Sequence, residues 1–426
     1  MRVHAPTSVP GTISGLSLAN PGLVTPFGAL TLYVQANLSS LPADMERKMN
    51  IGITCYPTYG GSGVVATELG KALAERGHSV HFISYALPMR LSGYVGNMMF
   101  HEVEMSSYPL FDFPMYTLAL ASKMVEVTQY EKLDILHCHY AIPHAASAYL
   151  ARQMLKPTPV KIVTTLHGTD ITLVGLEPSF LPVMRLSIEE SDGVTAVSRF
   201  LKEKTITNYG INKDIEVIPN FVDIHKYARI PNPEVQSQCA PHGEKILVHT
   251  SNFRPVKRVP DVIRIFHKVL EKVDSRLILV GDGPERSICE HLTRELGIHD
   301  HVKFLGRQPD FIDVLSAADL FLMPSQSESF GLSALEAMAC EVPVISSSVG
   351  GLPELNLHGQ TGYIAEIGDI DRMARYGIEL LTNPAKHRLF AQAARARALE
   401  FDSDKVILQY ERMYERVLQE APANAS

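Results

Sequence analysis

Short apolar runs alternate with amphipathic stretches along most of this chain, and this alternation constrains the fold more than any other feature. From Met49 onward, each apolar run without helical spacing is followed by a stretch in which apolar residues recur every three or four positions. Strands that are apolar along their whole length are typical of a parallel sheet with helices on both faces. The sequence therefore predicts an α/β fold with doubly wound sheets.

The first part of the alternation predicts one sheet and its helices. The predicted strands are Asn50–Cys55, Ser79–Ser84, Asp134–Cys138, Val160–Thr165, Gly193–Val197 and Ile215–Ile218. Helical spacing from Val64 to Gly77 predicts the first helix, and glycine is a common residue just after a helix end. Further helices are predicted at residues 116–130, 144–155 and 199–209.

The alternation is interrupted by the polar, proline-bearing residues 223–244 and then restarts. The predicted strands of the second part are Lys245–Ser251, Arg276–Val280, Val302–Leu305, Leu320–Met323 and Val342–Ser346. The predicted helices are residues 259–272, 284–296, 309–317, 331–340, 371–382, 385–400 and 404–419.

These patterns predict two Rossmann-like domains of similar size. The expected division is an N-terminal domain at residues 45–222, a linker at 223–244, a C-terminal domain at 245–402, and a C-terminal helix and tail at 403–426. Open sheets of this kind bind ligands beyond the carboxyl ends of their strands, so we expect the chemistry in the cleft between the domains.

Residues 1–44 differ in composition from the rest of the chain. They are rich in proline, serine and threonine, and no acidic residue precedes Asp44. A signal peptide would need a charged start and an unbroken apolar run, but proline or glycine interrupts every apolar stretch. We expect either a disordered tail or a spurious extension ahead of a true start at Met45 or Met49.

Composition excludes several classes of protein. The 39 Lys+Arg against 46 Asp+Glu give a net charge of −7, which argues against a nucleic-acid-binding protein with a basic face. No uninterrupted apolar run of about 18 residues occurs, so no membrane span is expected. The 5 cysteines are scattered and never spaced CxxC, which favours a reducing cytoplasm over a disulfide framework or a zinc site.

A glycine-rich turn joins the first strand to the first helix. Its backbone N–H groups at a helix N-terminus suit a phosphate, another anion or a sugar, because no side chain blocks their approach. Gly61-x-Gly63-x-x-Ala66 also satisfies the dinucleotide fingerprint. That interpretation needs an acid at the end of the second strand, and the segment Phe82–Ala86 contains none. A tight turn without any ligand is the third interpretation.

Cations and acids follow two strands of the second domain. Arg254 and Lys257 come just after the first of these strands and could neutralise a diphosphate, although a solvated loop would look the same. Glu328 precedes a predicted helix and Glu336 lies inside it, so the two acids and the free N–H groups between them could hold a sugar, a diphosphate and a ribose in succession. The alternative for Glu328 is a helix cap.

Histidines follow two strands of the first domain. His167 comes directly after an apolar strand, which favours a substrate contact over a buried, hydrogen-bonded histidine. His137 and His139 resemble a metal pair, but strand alternation places Cys138 on the opposite face from both. Asp369-Ile-Asp371 resembles a metal–diphosphate motif, yet its position before a helix favours a cap. Neither pattern predicts a metal site.

These motifs together resemble the retaining, nucleotide-sugar-dependent glycosyltransferases of family 4, which have the GT-B fold. The resemblance runs from about Met49 to the C-terminal helices. The segments that carry it are Pro324–Met338, Val280–Pro284, Val349–Glu354, Cys55–Glu68, His137–His144, Leu166–Gly175 and Ser251–Lys257. Within the family, they are most similar to members that act in the first step of bacillithiol biosynthesis.

The resemblance implies an activity and its substrates. The donor would be UDP-N-acetylglucosamine and the acceptor L-malate, with the α-configuration retained, no cofactor and no obligatory metal. It also implies a homo-oligomer. An acceptor other than malate, such as another small molecule or a glycan, remains the alternative within the enzyme class. A nucleotide-sugar-binding protein without catalysis is the alternative from a different class.

The resemblance also implies a role for each motif residue. His167, Arg254, Lys257 and Glu328 would be catalytic. The donor would be bound by Gly61, Arg254, Lys257, Glu328, Ser329, Phe330, Gly331, Leu332 and Glu336. Because malate carries two carboxylates, its pocket needs hydrogen-bond donors, and the candidates in first-domain loops are Ser62, Arg90, Tyr140 and Thr165.

Overall fold

The computed structural model describes residues 48–58, 60–91, 96–105, 115–158, 160–172 and 174–420. The predictions for residues 1–44 lie outside this part of the chain. Among the described residues, none of the helices combines the length and the apolar character needed to cross a membrane.

The first sheet has seven parallel strands in the order β3-β2-β1-β4-β5-β6-β7. Its strands are β1 (Asn50–Thr54), β2 (Ser79–Ser84), β3 (Met98–Glu102), β4 (Ile135–His139), β5 (Lys161–Leu166), β6 (Gly193–Ala196) and β7 (Glu216–Val217). Its helices are α1 (Gly61–Glu75), α2 (Tyr116–Glu131), α3 (Ala146–Met154), α4 (Thr169–Thr172), α5 (Leu181–Glu189) and α6 (Arg199–Tyr209). A π-helical turn, Ala141–Ala145, and a 3₁₀ turn, Val174–Leu176, lie between them.

The second sheet has six parallel strands in the order β10-β9-β8-β11-β12-β13. Its strands are β8 (Lys245–Thr250), β9 (Ser275–Val280), β10 (Val302–Gly306), β11 (Leu320–Met323), β12 (Val344–Ser347) and β13 (Gly362–Ala365). The helices from here to the end are α7 (Pro233–Cys239), α8 (Val259–Leu270), α9 (Arg286–Glu295), α10 (Ile312–Ala317), α11 (Leu332–Ala339), α12 (Leu352–Leu355), α13 (Ile370–Thr382), α14 (Pro384–Ala398) and α15 (Ser403–Gln419). Short 3₁₀ turns occur at Pro255–Lys257, His299–His301 and Leu399–Phe401.

The predicted fold class is confirmed: two doubly wound parallel sheets face a central cleft. In each sheet the order reverses beside the first strand, β1 or β8, and such switch points are where α/β sheets bind ligands. The glycine-rich turn follows β1, and Arg254 and Lys257 follow β8. The fold therefore brings both motifs to the cleft.

The C-terminal helix α15 returns to the first sheet. Val406, Tyr410 and Tyr414 are buried in the same apolar cluster as Ile51 and Leu69, which belong to β1 and α1. Helix α15 thus covers the first sheet although it follows the second sheet in sequence, and this crossing ties the two halves together at a second place besides residues 223–244.

A carboxylate from the second half fixes a helix of the first half. Glu354 in α12 accepts hydrogen bonds from the backbone N–H groups of Arg199 and Phe200, at 3.0 and 2.8 Å. A carboxylate at a helix N-terminus satisfies free donors and interacts favourably with the helix dipole. The segment Val349–Glu354 therefore helps to set the position of one sheet relative to the other.

Candidate functional site

Two helix N-termini from opposite sides of the cleft approach each other. Gly61 is the first residue of α1 and Leu332 is the first residue of α11. A Cβ built on Gly61 would lie 3.8 Å from Cδ2 of Leu332. Neither helix has a side-chain cap. Since the N-terminus of a helix carries partial positive charge and free N–H groups, this arrangement favours an anion between the two helices.

Two glycines in the first turn of α1 have different structural roles. A Cβ on Gly63 would lie 2.5 Å from the carbonyl oxygen of Tyr56, so the turn itself requires glycine there. A Cβ on Gly61 would meet only ordinary van der Waals contacts, from Leu332. The tight turn thus accounts for Gly63 but not for Gly61, which is exposed in the cleft.

The acid and the cation predicted from the second domain contact each other. The Nζ of Lys257 donates to Oε1 of Glu328, and both side chains are mostly buried. Their loops are also joined through the backbone, where the N–H of Gln326 donates to the carbonyl of Val256 at 2.8 Å. Arg254, which precedes Lys257 in the same loop, is exposed to solvent. Its guanidinium has no partner among the described residues. This half of the site therefore presents two cations, one already paired with an acid.

Glu336 lies in a buried contact between the two halves. Glu336 is only 4% exposed, and its Oε1 accepts hydrogen bonds from Nη1 and Nη2 of Arg90, each at 3.3 Å, and from the hydroxyl of Tyr227 at 3.0 Å. Burial raises the pKa of Glu336, while Arg90 and Tyr227 oppose that rise. Arg90 and Glu336, predicted for acceptor and donor respectively, are thus brought together.

The loop that carries His167 reaches the second half of the site. Gly168 has a φ of +116°, and a Cβ there would lie 1.6 Å from Oγ of Ser329. Glycine is needed at this position for both reasons. Nε2 of His167 lies 2.8 Å from Nδ1 of His139, and the two rings stack. His167 is therefore held at the cleft beside the segment Glu328–Leu332.

Comparison with known proteins supports a single family. A profile of the glycosyl transferases group 1 matches residues 233–397, and one of Glycosyltransferase Family 4 matches residues 59–226. N-acetyl-alpha-D-glucosaminyl L-malate synthase from Bacillus anthracis is 51% identical over 375 residues, which are 88% of this chain and 98% of that protein. The chain belongs to glycosyltransferase family 4. The resemblance of the sequence motifs to this family is thereby confirmed.

Solved structures of low sequence identity share the fold of this glycosyltransferase. A glycosyltransferase from Rickettsia africae has a TM-score of 0.72 at 22% identity, over 88% of this chain and 100% of that one. Sucrose-phosphate synthase from Thermosynechococcus elongatus also has a TM-score of 0.72 at 22% identity, over 87% and 99%. The GT-B architecture therefore extends over nearly all of the described residues.

Two residues that support His167 in this glycosyltransferase were missed from the sequence. His139 contacts the His167 ring, and the carboxylate of Asp170 accepts hydrogen bonds from the N–H groups of Ala141 and Gly168 at 3.1 and 3.0 Å. The register of β4 and β5, which pairs His139 with Thr165, would have indicated the first contact. The contact of Asp170 with Ala141 joins residues 29 positions apart, so no local pattern indicates it.

The strand alternation predicted for β4 is confirmed. Cys138 packs into an apolar cluster, while the rings of His137 and His139 lie 4.4 Å apart on the other face. Both ring nitrogens of His137 are hydrogen-bonded to hydroxyls: Nδ1 lies 2.7 Å from the hydroxyl of Tyr414, and Nε2 lies 2.8 Å from that of Thr165. Asp369 is a helix cap, as predicted, since its side chain accepts from the N–H of Arg372.

The residues predicted for the acceptor are not equally accessible. Ser62 and Tyr140 lie together, with the tyrosine hydroxyl donating to the serine Oγ at 2.9 Å. Thr165 is fully buried, and its hydroxyl pairs with His137 and with Thr195 at 2.7 Å. Thr165 therefore supports the histidines from within the sheet and does not present its hydroxyl to the cleft.

The buried histidines should make this glycosyltransferase acid-sensitive. Burial lowers the pKa of His137 and of His167 to about 3, and that of His144 to about 4, so each is neutral at pH 7. An unfolded histidine titrates near pH 6.5. Between about pH 6.5 and 4 the unfolded chain therefore binds more protons, and stability falls as the pH falls.

Urea unfolding midpoints at several pH values between 7.5 and about 5 test this expectation. Asp170 acts in the opposite direction below about pH 6, because burial raises its pKa to about 6, but one carboxyl is outweighed by several histidines. A midpoint that stays constant or rises on acidification would contradict the expectation.

Proposed function

We propose that this chain transfers N-acetylglucosamine from UDP-N-acetylglucosamine to L-malate, with release of UDP and retention of the α-configuration. This is the first step of bacillithiol biosynthesis. The name of the 51% identical relative supports the choice of substrates. The observation that carries the proposal is the convergence of the N-termini of α1 and α11, because it forms an anion site at the switch points of both sheets.

The donor's diphosphate is proposed to lie between these helix ends. The backbone N–H groups of Phe330, Gly331 and Leu332 would donate to its oxygens, because the first N–H groups of a helix have no partner within it. The left-handed backbone at Gly331, with a φ of +100°, supports this arrangement, since it starts α11 without a side chain over its N-terminus. Ser329 lies beside this segment, where it touches the His167 loop.

Arg254 and Lys257 are proposed to stabilise the leaving group. As the bond between the sugar and the phosphate breaks, negative charge grows on the phosphate oxygen, so a cation there acts more strongly in the transition state than in the ground state. Glu328 contacts Lys257 directly, and this carboxylate is proposed to accept hydrogen bonds from the ring hydroxyls of the sugar. The pair would thus hold the sugar and the diphosphate on either side of the bond that breaks.

The acceptor hydroxyl is proposed to attack from the face on which the leaving group departs. Its proton would pass to the departing phosphate oxygen, so no side-chain nucleophile is needed. His167 would contact the sugar near the anomeric carbon and orient it. A neutral imidazole suits that role, since its burial keeps it unprotonated at pH 7 and it adds no charge beside the reacting carbon.

L-malate is proposed to bind on the first-domain side of the cleft. The N-terminus of α1 supplies free N–H groups, and Ser62 and Tyr140 supply hydroxyls beside it. Arg90 would add a positive charge for one malate carboxylate once it leaves Glu336, and Glu336 would then be free for the ribose hydroxyls. The exchange links donor binding to acceptor binding through a single ion pair.

Product analysis tests the proposal. Mass spectrometry of reactions with UDP-N-acetylglucosamine and L-malate should detect N-acetylglucosaminyl malate and an equal amount of UDP. Parallel reactions with inositol phosphate, other small hydroxy acids and a glycan identify a different acceptor if malate is not used. Binding of the nucleotide sugar without transfer to any acceptor would support a binding protein and would overturn the proposal.

The proposed reaction needs no metal ion. Of the two histidines that resembled a metal pair, His137 has both ring nitrogens hydrogen-bonded to hydroxyls, and His139 contacts His167 through Nδ1; Asp369 caps a helix. We therefore expect the rate of UDP release to be unchanged by an excess of EDTA. Loss of activity with EDTA that a divalent cation restores would contradict this expectation, and inactivation that no cation restores would point to an effect on the fold.

The proposed reaction also assigns a substrate to each domain and a cellular location to the protein. Residues 45–222 would bind the acceptor and residues 245–402 the nucleotide sugar, with 223–244 as a linker that contains helix α7. The cytoplasm is proposed as the site of the reaction. All five cysteines are free and buried, which fits a protein that works in reducing conditions.

A further inference from the structure

Three side chains that could ligate a metal lie at the edge of the first sheet. They are His81 on β2, His101 on the edge strand β3, and Glu131 at the end of α2. One ligand atom from each lies within 4.8 Å of the other two. None of these residues belongs to the site described above, and none was singled out from the sequence.

The geometry of the two imidazoles is close to that of a zinc site. Nδ1 of His81 lies 3.0 Å from Nε2 of His101. Two nitrogen ligands of a tetrahedral zinc ion, each about 2.0–2.1 Å from the metal, lie about 3.3 Å apart. A small movement of the half-buried His101 would therefore open the pair enough for an ion. The carboxylate of Glu131 would supply the third ligand, and water the fourth.

The surroundings of His81 also fit a metal ligand. Its other ring nitrogen, Nε2, lies 3.1 Å from Oγ of Ser79. Ligating histidines commonly donate the second ring N–H to such a partner, which fixes the tautomer and the ring orientation. Strand alternation places His81 on the same face as Ile83, whose apolar cluster includes Met124 of α2. A histidine on this apolar face needs polar partners, and the structure provides them.

The cluster lies away from the reaction cleft. The cleft is at the carboxyl ends of the strands, whereas Glu131 ends a helix that runs back toward their amino ends. Asn50, the first residue of β1, donates from Nδ2 to the backbone carbonyl of Glu131 at 3.1 Å. An ion there would join β2, the edge strand β3 and α2, and would take no part in sugar transfer.

We propose that His81, His101 and Glu131 form a structural site for a divalent transition metal, with Zn²⁺ as the ion that fits best. Two imidazoles and a carboxylate suit zinc better than Mg²⁺ or Ca²⁺, which prefer oxygen ligands. The bound ion stabilises the edge of the first sheet. This inference is independent of the proposed reaction, because the ligands do not reach the cleft.

Calorimetric titration of the untagged full chain with ZnCl₂, after treatment with EDTA and its removal, tests the site. The expected result is binding of one Zn²⁺ per chain that is at least about tenfold weaker in His101→Ala and in Glu131→Gln. The second variant changes an exposed side chain, so it should fold even if the first does not. His299→Ala is the matched control and should bind like the unchanged chain.

Two further readouts separate a metal site from a hydrogen-bonded histidine pair. One equivalent of Zn²⁺ should raise the Tm of the unchanged chain and not that of Glu131→Gln, while the rate of UDP release stays the same in both. With Co²⁺, the unchanged chain should show visible absorption bands of a four-coordinate ion. Absence of stoichiometric binding, or binding that both variants retain, would overturn the proposal; retained binding would place the ion elsewhere, for example at His139 and His167.

Discussion

Replacing Lys257 with alanine is expected to lower kcat by about 10²–10³ at saturating donor. The reason is that Lys257 is aimed at charge that develops only as the diphosphate departs, so its loss costs transition-state stabilisation of about 2.7–4 kcal/mol, by analogy with a lost oxyanion-hole donor. The nearby Glu328 loses its cation partner in the same variant. Steady-state kinetics should therefore be accompanied by calorimetric measurement of UDP affinity.

Two comparisons identify the cause of that loss. Lys272→Ala removes an exposed lysine just beyond α8 and should leave kcat unchanged. Glu328→Gln keeps the size of the side chain but removes its charge, so it separates the effect of an unpaired Glu328 from the loss of the cation. If Lys257→Ala raised only the donor KM, Lys257 would be a binding contact and the leaving-group role would be wrong.

Replacing Glu336 with alanine is expected to destabilise the fold by about 3–5 kcal/mol. The variant leaves the guanidinium of Arg90 mostly buried without a counter-charge, and breaking a buried ion pair from one side has a cost of this size. The double variant Arg90→Ala/Glu336→Ala should lose less than the sum of the two single variants, because no uncompensated charge remains. Urea unfolding of the three variants measures this coupling.

Kinetics of milder variants then show which substrate Glu336 binds and which substrate Arg90 binds. Glu336→Gln should raise the donor KM more than it lowers kcat, because the ribose is held equally before and during the reaction. Arg90→Ala should raise the malate KM if Arg90 binds the acceptor, and only the donor KM if its role is to hold Glu336. Additive single-variant effects on stability would contradict the buried ion pair.

Much of the fold could be predicted because each element carries its own signal. The strand Ser79–Ser84 and the helix Arg199–Tyr209 have the predicted bounds, since both are apolar at the expected positions and end at clear boundaries. The predicted helix 331–340 begins at Leu332, because Gly331 adopts a left-handed backbone. Local patterns therefore locate elements to within a few residues.

The missed elements have weak local signals. The edge strand β3 was missed since its residues are only half-buried and mix apolar with charged side chains. Strand β13 is short, and helices α5 and α7 carry a proline near their starts. Tertiary packing decides the structure of such segments, and a single sequence does not show that packing.

The candidate site also has one part that the sequence predicts and one part that it does not. The positions of Lys257, Glu328 and His167 after strands predict that their loops meet at one cleft, and the structure brings these loops together. Their mutual contacts could not be predicted, because they join residues far apart in sequence. The contact of Arg90 with Glu336 spans 246 positions and depends on how the two halves pack, which no local pattern encodes.

The most direct test of the central claim is proton NMR of the product formed from UDP-N-acetylglucosamine and L-malate. One spectrum reports whether the sugar has moved, which hydroxyl it joined and which anomer was made. We expect N-acetylglucosamine linked to the malate hydroxyl in the α-configuration, with UDP as the second product. A β-linked product would contradict front-face attack, and unreacted malate with an active enzyme on another acceptor would contradict the proposed function.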